Sequence, residues 1–403
     1  MSATSDVADL GHQAAKFYED PGNFDPTPLY PILRDEAPLL RTPLGFFIVS
    51  RHADVMELYS GSRTVRTPPA ASEPDSPMDR LTRNFLTRVS PETHRRMRMA
   101  VQRAFTMKAA KDVGPDLQRA ADDVVAAARE RGGMDIVTDL AELISGHALG
   151  GLMGIPVADR RLLGSLASDI LSGYHAGATQ EIRDKAEQAA ATMMQYVEDL
   201  IREKRVNPGP DLVSRLIDGQ KEEGGLSDTE LHGACGHILN AGSDTTVAMI
   251  GNAFHTLLTH RDQYDRLCAN PELAGSAIEE CLRYDPPVRS TPNRIVQEDI
   301  SLSGGTIRKG QEVTAWLGAA NFDPRRFDSP ERFDISRTPN PHISFSTGAN
   351  FCLGSNFARF EGQVALQTVA RAFPNLELAP ERGQLRRDNA LVHGFASLPV
   401  ACG

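Results

Sequence analysis

Residues His342 to Glu361 read HISFSTGANFCLGSNFARFE. A cysteine, Cys352, stands between Gly348 and Gly354, with Phe345 ahead of it and a helix-forming run directly behind it, in which Ala358 is small where close packing demands it. Glycines around a cysteine let the backbone approach a flat ligand that a side chain would hold off. A helix beginning just after the cysteine presents the positive end of its dipole to the sulfur and favours thiolate over thiol. A thiolate so placed is the kind of axial ligand that pushes electron density onto haem iron.

The chain around this segment has 403 residues, 40% hydrophobic and 24% charged. That is enough apolar material for a large core, and it excludes disordered, collagenous and fibrous classes. Length alone suggests two or three domains. No run approaches the roughly 20 apolar residues of a membrane span. The start, MSATSDVADLGHQAAKFYED, is polar and acidic without a signal-peptide core, so a cytoplasmic protein off the membrane is expected. With 43 basic against 53 acidic residues the net charge is -10, which argues against a nucleic-acid partner. The five cysteines are odd in number and widely spaced, so disulfides are not expected.

Leu44 to Val49 has the content of a buried strand, whereas Val65 to Ser90, with Pro68, Pro69, Pro74 and Pro77, reads as a long loop of the lid or binding type. From Pro91 to Ile278 the sequence is mainly helical. Apolar residues from Leu117 to Ala128 recur at helical period, with Gly132 and Gly133 as a stop. A second helix is expected over about Ala141 to Gly154; its glycines suit close helix packing, since no strand precedes them and the Walker lysine is absent. After Tyr284 come short extended runs, then a last helix from Ser355 to Ala372. The expected fold class is mainly α with small β-sheets, as a single domain: β-rich portions near 35–65 and 285–400, and helical core over 91–283 and 355–372.

Three further segments carry chemistry. LNAGSDTT, Leu239 to Thr246, puts Gly, Asp and Thr inside a helical run that begins near Asp228, and this local disfavour points to a functional purpose. Glu280 and Arg283 share a helix face at i and i+3, and His94 and Arg98 share one at i and i+4, a spacing that converges two cations on one anion. HGACGH, with His232, Cys235 and His237, is not a metal motif, because positions five apart lie about 140 degrees apart around a helix.

Taken in order, these segments resemble the cytochrome P-450 superfamily over about residues 20 to 400. The family signature is met by Phe345, Gly348, Cys352 and Gly354. The resemblance implies its fold, a triangular helical prism around a buried haem b, with Cys352 as the iron ligand. It implies that Asp244 and Thr245 are the acid-alcohol pair that relays protons during oxygen activation, while Ala241 leaves room over the haem. Haem propionates would be held by His94, Arg98 and Arg294, and Glu280, Arg283 and Arg332 would form a structural network. Asn350 replaces the His or Arg that usually holds a propionate, so weaker anchoring is expected there. Phe322 stands where relatives commonly carry arginine, and Ser346 stands at a usual glycine. His237, Asn240, Val288, Ser290 and Phe395 are candidate substrate contacts, with the loop near Tyr174 to Thr179 beside them.

The activity so implied is a soluble, bacterial-type monooxygenase, inserting one oxygen atom from O2 into a medium-sized apolar substrate with a polar group. No GxGxxG site, flavin or iron-sulfur region is evident, so a separate ferredoxin or flavodoxin is the expected donor, docking on a patch of Arg95, Arg96, Arg103 and Arg359. The chain is expected to be a monomer. The competing readings are a peroxide-driven haem enzyme and a haem-containing binding or sensor protein without turnover; neither accounts for Asp244 and Thr245.

Overall fold

The computed structural model describes residues 3–61, 63–66, 75–105, 107–174, 178–386 and 391–403. Two compact units emerge, where the length had suggested several domains and the sequence texture one. The first comprises Met1–Thr67, Gly251–Cys352 and Gln384–Ala396; the second comprises Pro68–Ile250, Leu353–Gly383 and Ser397–Gly403.

The first unit is built on a five-stranded sheet in the order Leu39–Arg41, Phe47–Val49, Glu312–Ala315, Arg294–Val296, Thr64–Arg66. The expected strand forms only over its last three residues. Gly45 turns the chain with φ +95° and leaves Leu44 exposed in the hairpin, where Leu40 pairs with Ile48. Ile48 then pairs parallel with Thr314, and Val65 antiparallel with Ile295, so strands near the start are zipped to strands about 250 residues later. One face packs Ile48, Leu33, Tyr30 and Phe17 around Trp316. The polar tips inside this core are satisfied in a relay: Trp316 Nε1 donates to Tyr18 Oη at 2.8 Å, which shares a hydrogen bond with Ser290 Oγ, also at 2.8 Å.

The second unit is mostly helical. Ser90 caps Pro91–Ala104, Thr179 caps Gln180–Val206, and Ser227 with Glu230 forms a capping box for Asp228–Gly242. The helix expected around Leu117 to Ala128 begins well before that stretch, as Met107–Arg131, and carries Pro115 inside it. It stops where the sequence says it should, at Gly132 with φ +70°. Gly133 has a different reason: it enters a three-stranded sheet, where a Cβ would lie 2.6 Å from the Val400 carbonyl. Glu142–Met153 ends on left-handed Gly154 as expected, but the group filling the space at Gly150 is the Arg160 side chain, while Gly151 meets Val113. The supposed long loop over Val65 to Ser90 is shorter than its composition suggests, because Ser76 caps a helix at Pro77–Thr82. Residues 67–74 of it lie outside the described residues. Among the described residues no single helix is long and apolar enough to cross a membrane.

Candidate functional site

In the first unit the cysteine segment is a tight loop. Cys352 N donates back to Phe345 O at 2.9 Å, and Ser346 N donates to Ile343 O at 2.8 Å. Two residues within it are left-handed, Ser346 at φ +58° and Gly348 at φ +60°. Gly348 is required twice over, since a Cβ there would lie 2.5 Å from the Tyr59 carbonyl. Cys352 is exposed, as is Phe351, a large apolar residue 40% exposed beside it. The other four cysteines are ordinary thiols: burial pushes Cys235 up to about 12 and holds Cys268, Cys281 and Cys402 above the usual thiol range. None of the five forms a disulfide.

Tyr59 joins the loop to Arg294. The Arg294 guanidinium lies 5.7 Å from the Tyr59 ring, its Nε donates to Thr64 Oγ1 at 2.7 Å and its Nη2 to Thr64 O at 2.9 Å. Burial lowers its pKa, with Tyr59 opposing, and among the described residues no carboxylate pairs with it. A half-buried guanidinium anchored through Nε and Nη2 suits an added anion. Asn350, at the edge of the loop, makes no side-chain hydrogen bond among the described residues and can give one to such an anion.

The structural network is present with one member exchanged. Arg283 and Glu280 are fully buried and bidentate, with both nitrogen to oxygen distances 2.8 Å. The second arginine is Arg337, whose Nε donates to both Glu280 oxygens at 3.1 Å. Arg332 does not enter. Its carbonyl turns inward to accept from Arg283 and Arg337, which sends its side chain outward, 69% exposed and 3.7 Å from Asp334. Phe322 has a clear use: its ring lies 5.2 Å from the Arg283 guanidinium. Two substrate candidates fall away here. Ser290 is buried and spent on Tyr18 and Thr314, and Phe395 is 0% exposed between His255 and Arg386. Val288 packs at the edge of an apolar core cluster.

In the second unit His94 and Arg98 are both half-buried on one face of Pro91–Ala104, with His94 Nδ1 2.7 Å from Leu86 O. The run expected as one helix is broken. Asp228–Gly242 ends, Ser243 takes φ -88°, ψ -70°, and a new helix starts at Asp244. The hydroxyls of Thr245 and Thr246 donate to the carbonyls of Ala241 and Gly242 at 3.0 and 3.3 Å, which loosens the backbone ladder at that point. Ala241, in the last turn of Asp228–Gly242, is exposed, while Asp244 is 6% exposed. His237 stacks on Phe85 at 4.9 Å, and the buried Oδ1 of Asn240 has no hydrogen-bond partner among the described residues. His232 bonds the Asp228 carbonyl, and no group of three or more potential ligands is found among the described residues. Ala358 is half-buried on Ser355–Ala372, a helix held by Gln118 to Thr368 at 2.9 Å and by Gly114 against Phe360. Of the loop near Tyr174, residues 175–177 lie outside the described residues.

Two features of the first unit fit a haem, an exposed cysteine in a glycine-cradled loop and a half-buried arginine joined to that loop through Tyr59; in the second unit, taken by itself, Ala241 is open beside a helix break. Sequence reasoning missed Arg337, whose role depends on the path of a loop, and Glu361, a buried carboxyl on the helix after the cysteine.

The profile of the family described as Cytochrome P450 matches residues 165–272 and 269–400. The chain is 31% identical to the biotin biosynthesis cytochrome P450 of Bacillus subtilis (strain 168), covering 91% of this chain and 92% of that protein. It is 34% identical to the vitamin D(3) 25-hydroxylase of Pseudonocardia autotrophica, with 94% of each covered. The crystal structure of CalO2 superposes with a TM-score of 0.87 at 32% identity, over 95% of this chain and 99% of that one.

Proposed function

The chain belongs to the cytochrome P450 family and is a haem-thiolate monooxygenase of organic substrates, and on that premise we propose that it oxygenates a medium-sized apolar molecule carrying one polar group, using electrons from a separate small redox protein. The haem, when bound, supplies the activation of O2, one oxygen atom entering the substrate and the other leaving as water. Cys352 would ligate the iron, and Arg294, His94, Arg98 and Asn350 would hold the propionates.

The observation that carries the reading is the helix break at Ser243, which starts a new helix on Asp244 and leaves Ala241 open. Asp244, buried at the start of that new helix, would be the acid of the pair. Thr245, whose hydroxyl donates to Ala241 O, keeps its lone pairs available to accept from a donor and pass a proton on. Substitution of Asp244 by Asn should lower product formation about 100-fold, and Thr245→Ala should divert electrons to peroxide. Unchanged product per electron in both variants overturns the relay. Product formed with peroxide alone, as fast as with electron donors, would favour the peroxide-driven alternative.

Asn240 supports the polar group on the substrate, because its buried Oδ1 finds no partner among the described residues. Similarity to a vitamin D(3) 25-hydroxylase agrees with a largely apolar molecule. If Asn240→Leu and His237→Leu both leave the substrate-induced spectral shift intact, the polar group is not read there.

A further inference from the structure

Resting on the reading of Cys352 as the haem ligand, we propose that Asn321, Ser344 and His342 are positioning residues, a clamp of three side chains that sets where the cysteine loop leaves the body of its unit. Asn321 is completely buried, and both ends of its amide are committed to the loop. Its Oδ1 accepts from Ile343 N at 2.9 Å and its Nδ2 donates to Ser344 Oγ at 2.8 Å. Ser344 Oγ passes the bond on to Leu282 O at 2.6 Å, on the helix Ala274–Tyr284. Ser344 N donates to His342 Nδ1 at 3.2 Å, so that nitrogen is bare and the neutral ring carries its proton on Nε2, which faces Glu279 Oε2 at 3.2 Å. Three successive residues, His342, Ile343 and Ser344, are therefore tied, through Asn321 and through Glu279 and Leu282, to two different helices, Leu317–Asn321 and Ala274–Tyr284.

The clamp is needed because the chain between it and Cys352 is held in an unfavourable shape. Ile343 O accepts from Ser346 N, Phe345 O accepts from Cys352 N, and between them Ser346 and Gly348 hold left-handed conformations. A non-glycine residue in that region relaxes unless its surroundings hold it. Each partner removed from Asn321 or Ser344 leaves a buried donor or acceptor unmatched, enough to change an equilibrium or a rate about tenfold.

The test uses the haem-loaded protein and reads ligation, not turnover. The reduced carbon monoxide spectrum separates thiolate-ligated from thiol-ligated haem, and its decay can be timed. Asn321→Ala, Ser344→Ala and the double variant are compared with Leu33→Ala, a core substitution of the same unit outside the loop. The expected result is that both single variants lose the thiolate form about tenfold faster than the Leu33 variant at an equal drop in melting temperature, and that the double variant is no worse than the worse single. Decay that simply tracks melting temperature across all four, or singles that add, overturns the clamp. A wild-type protein that never shows thiolate ligation instead overturns the reading of Cys352, and the clamp with it.

Discussion

Glu361 lies nine residues past Cys352, is 3% exposed, and has an Oε2 without a hydrogen-bond partner among the described residues; burial pushes its carboxyl well above the usual carboxylate range. A raised folded-state pKa makes its contribution largest in acid. Below about pH 4.3 both folded and unfolded chains hold the proton. As the pH climbs from there towards the folded-state value, only the unfolded chain releases it, and stability falls by up to about 1.4 kcal/mol per pH unit. Glu361→Gln, a neutral isostere, should therefore gain on the wild type as the pH rises from about 5 to about 7. Melting temperatures across that range check it, and a pH-independent difference would mean the carboxylate is compensated. Ser346 offers a simpler case. Its left-handed φ costs about 1 to 2 kcal/mol, partly offset by the extra freedom glycine brings to the unfolded chain, so Ser346→Gly should stabilise by about 0.5 kcal/mol. Denaturant midpoints of the two proteins decide it.

At the scale of elements, the ExxR helix shows which arginine matters. Arg337 is largely buried on Glu280, while Arg332 points to solvent. Arg337→Ala should destabilise by about 3 to 5 kcal/mol, because it strips a partner from a buried carboxylate, and Arg332→Ala by less than about 1 kcal/mol. Thermal melting of the two variants settles the assignment, and equal losses would return Arg332 to the network. The reason the sequence named the wrong arginine separates what is legible from what is not. Helix ends at Gly132 and Gly154 and the span Ser355–Ala372 could be read because their signals are local: left-handed glycines and helical periodicity. The cysteine loop was legible for the same reason, through glycine at Gly348. Arg337, the burial of Phe395 and the commitment of Ser290 to Tyr18 all depend on a chain segment arriving from far away, which no local pattern encodes. The helix Pro77–Thr82 is an intermediate case. Its cap, Ser76, and its Pro77 were in plain view, but the prolines nearby outweighed them.

Over the whole chain, the net charge of -10 sets a problem for any acidic electron donor, which must find a local basic surface against an unfavourable field. The four arginines proposed for that surface are not equivalent. Arg96 is half-buried and committed to Glu230 and the Gly225 carbonyl, so it belongs to the fold. Arg95 is exposed, and Arg103 makes only a loose contact with Glu222 at 3.8 Å, an arrangement worth little in water. Arg95, Met99 and Arg103 fall at i, i+4 and i+8 along Pro91–Ala104, and Met99 is 49% exposed, which makes one helix face with an apolar centre and a cation at either end. A donor steered by that face should reduce the protein more slowly as salt shortens the reach of its charges from about 30 Å at 0.01 M to about 8 Å at 0.15 M. Arg95→Glu and Arg103→Glu should each lower the second-order rate constant and flatten its salt dependence, whereas Arg96→Ala should lower the melting temperature and leave the salt dependence unchanged. Stopped-flow reduction with a purified ferredoxin or flavodoxin reads all three. A rate indifferent to salt would rule out steering by this face, and a salt slope lost only in the Arg96 variant would move the docking surface off the face of Arg95, Met99 and Arg103.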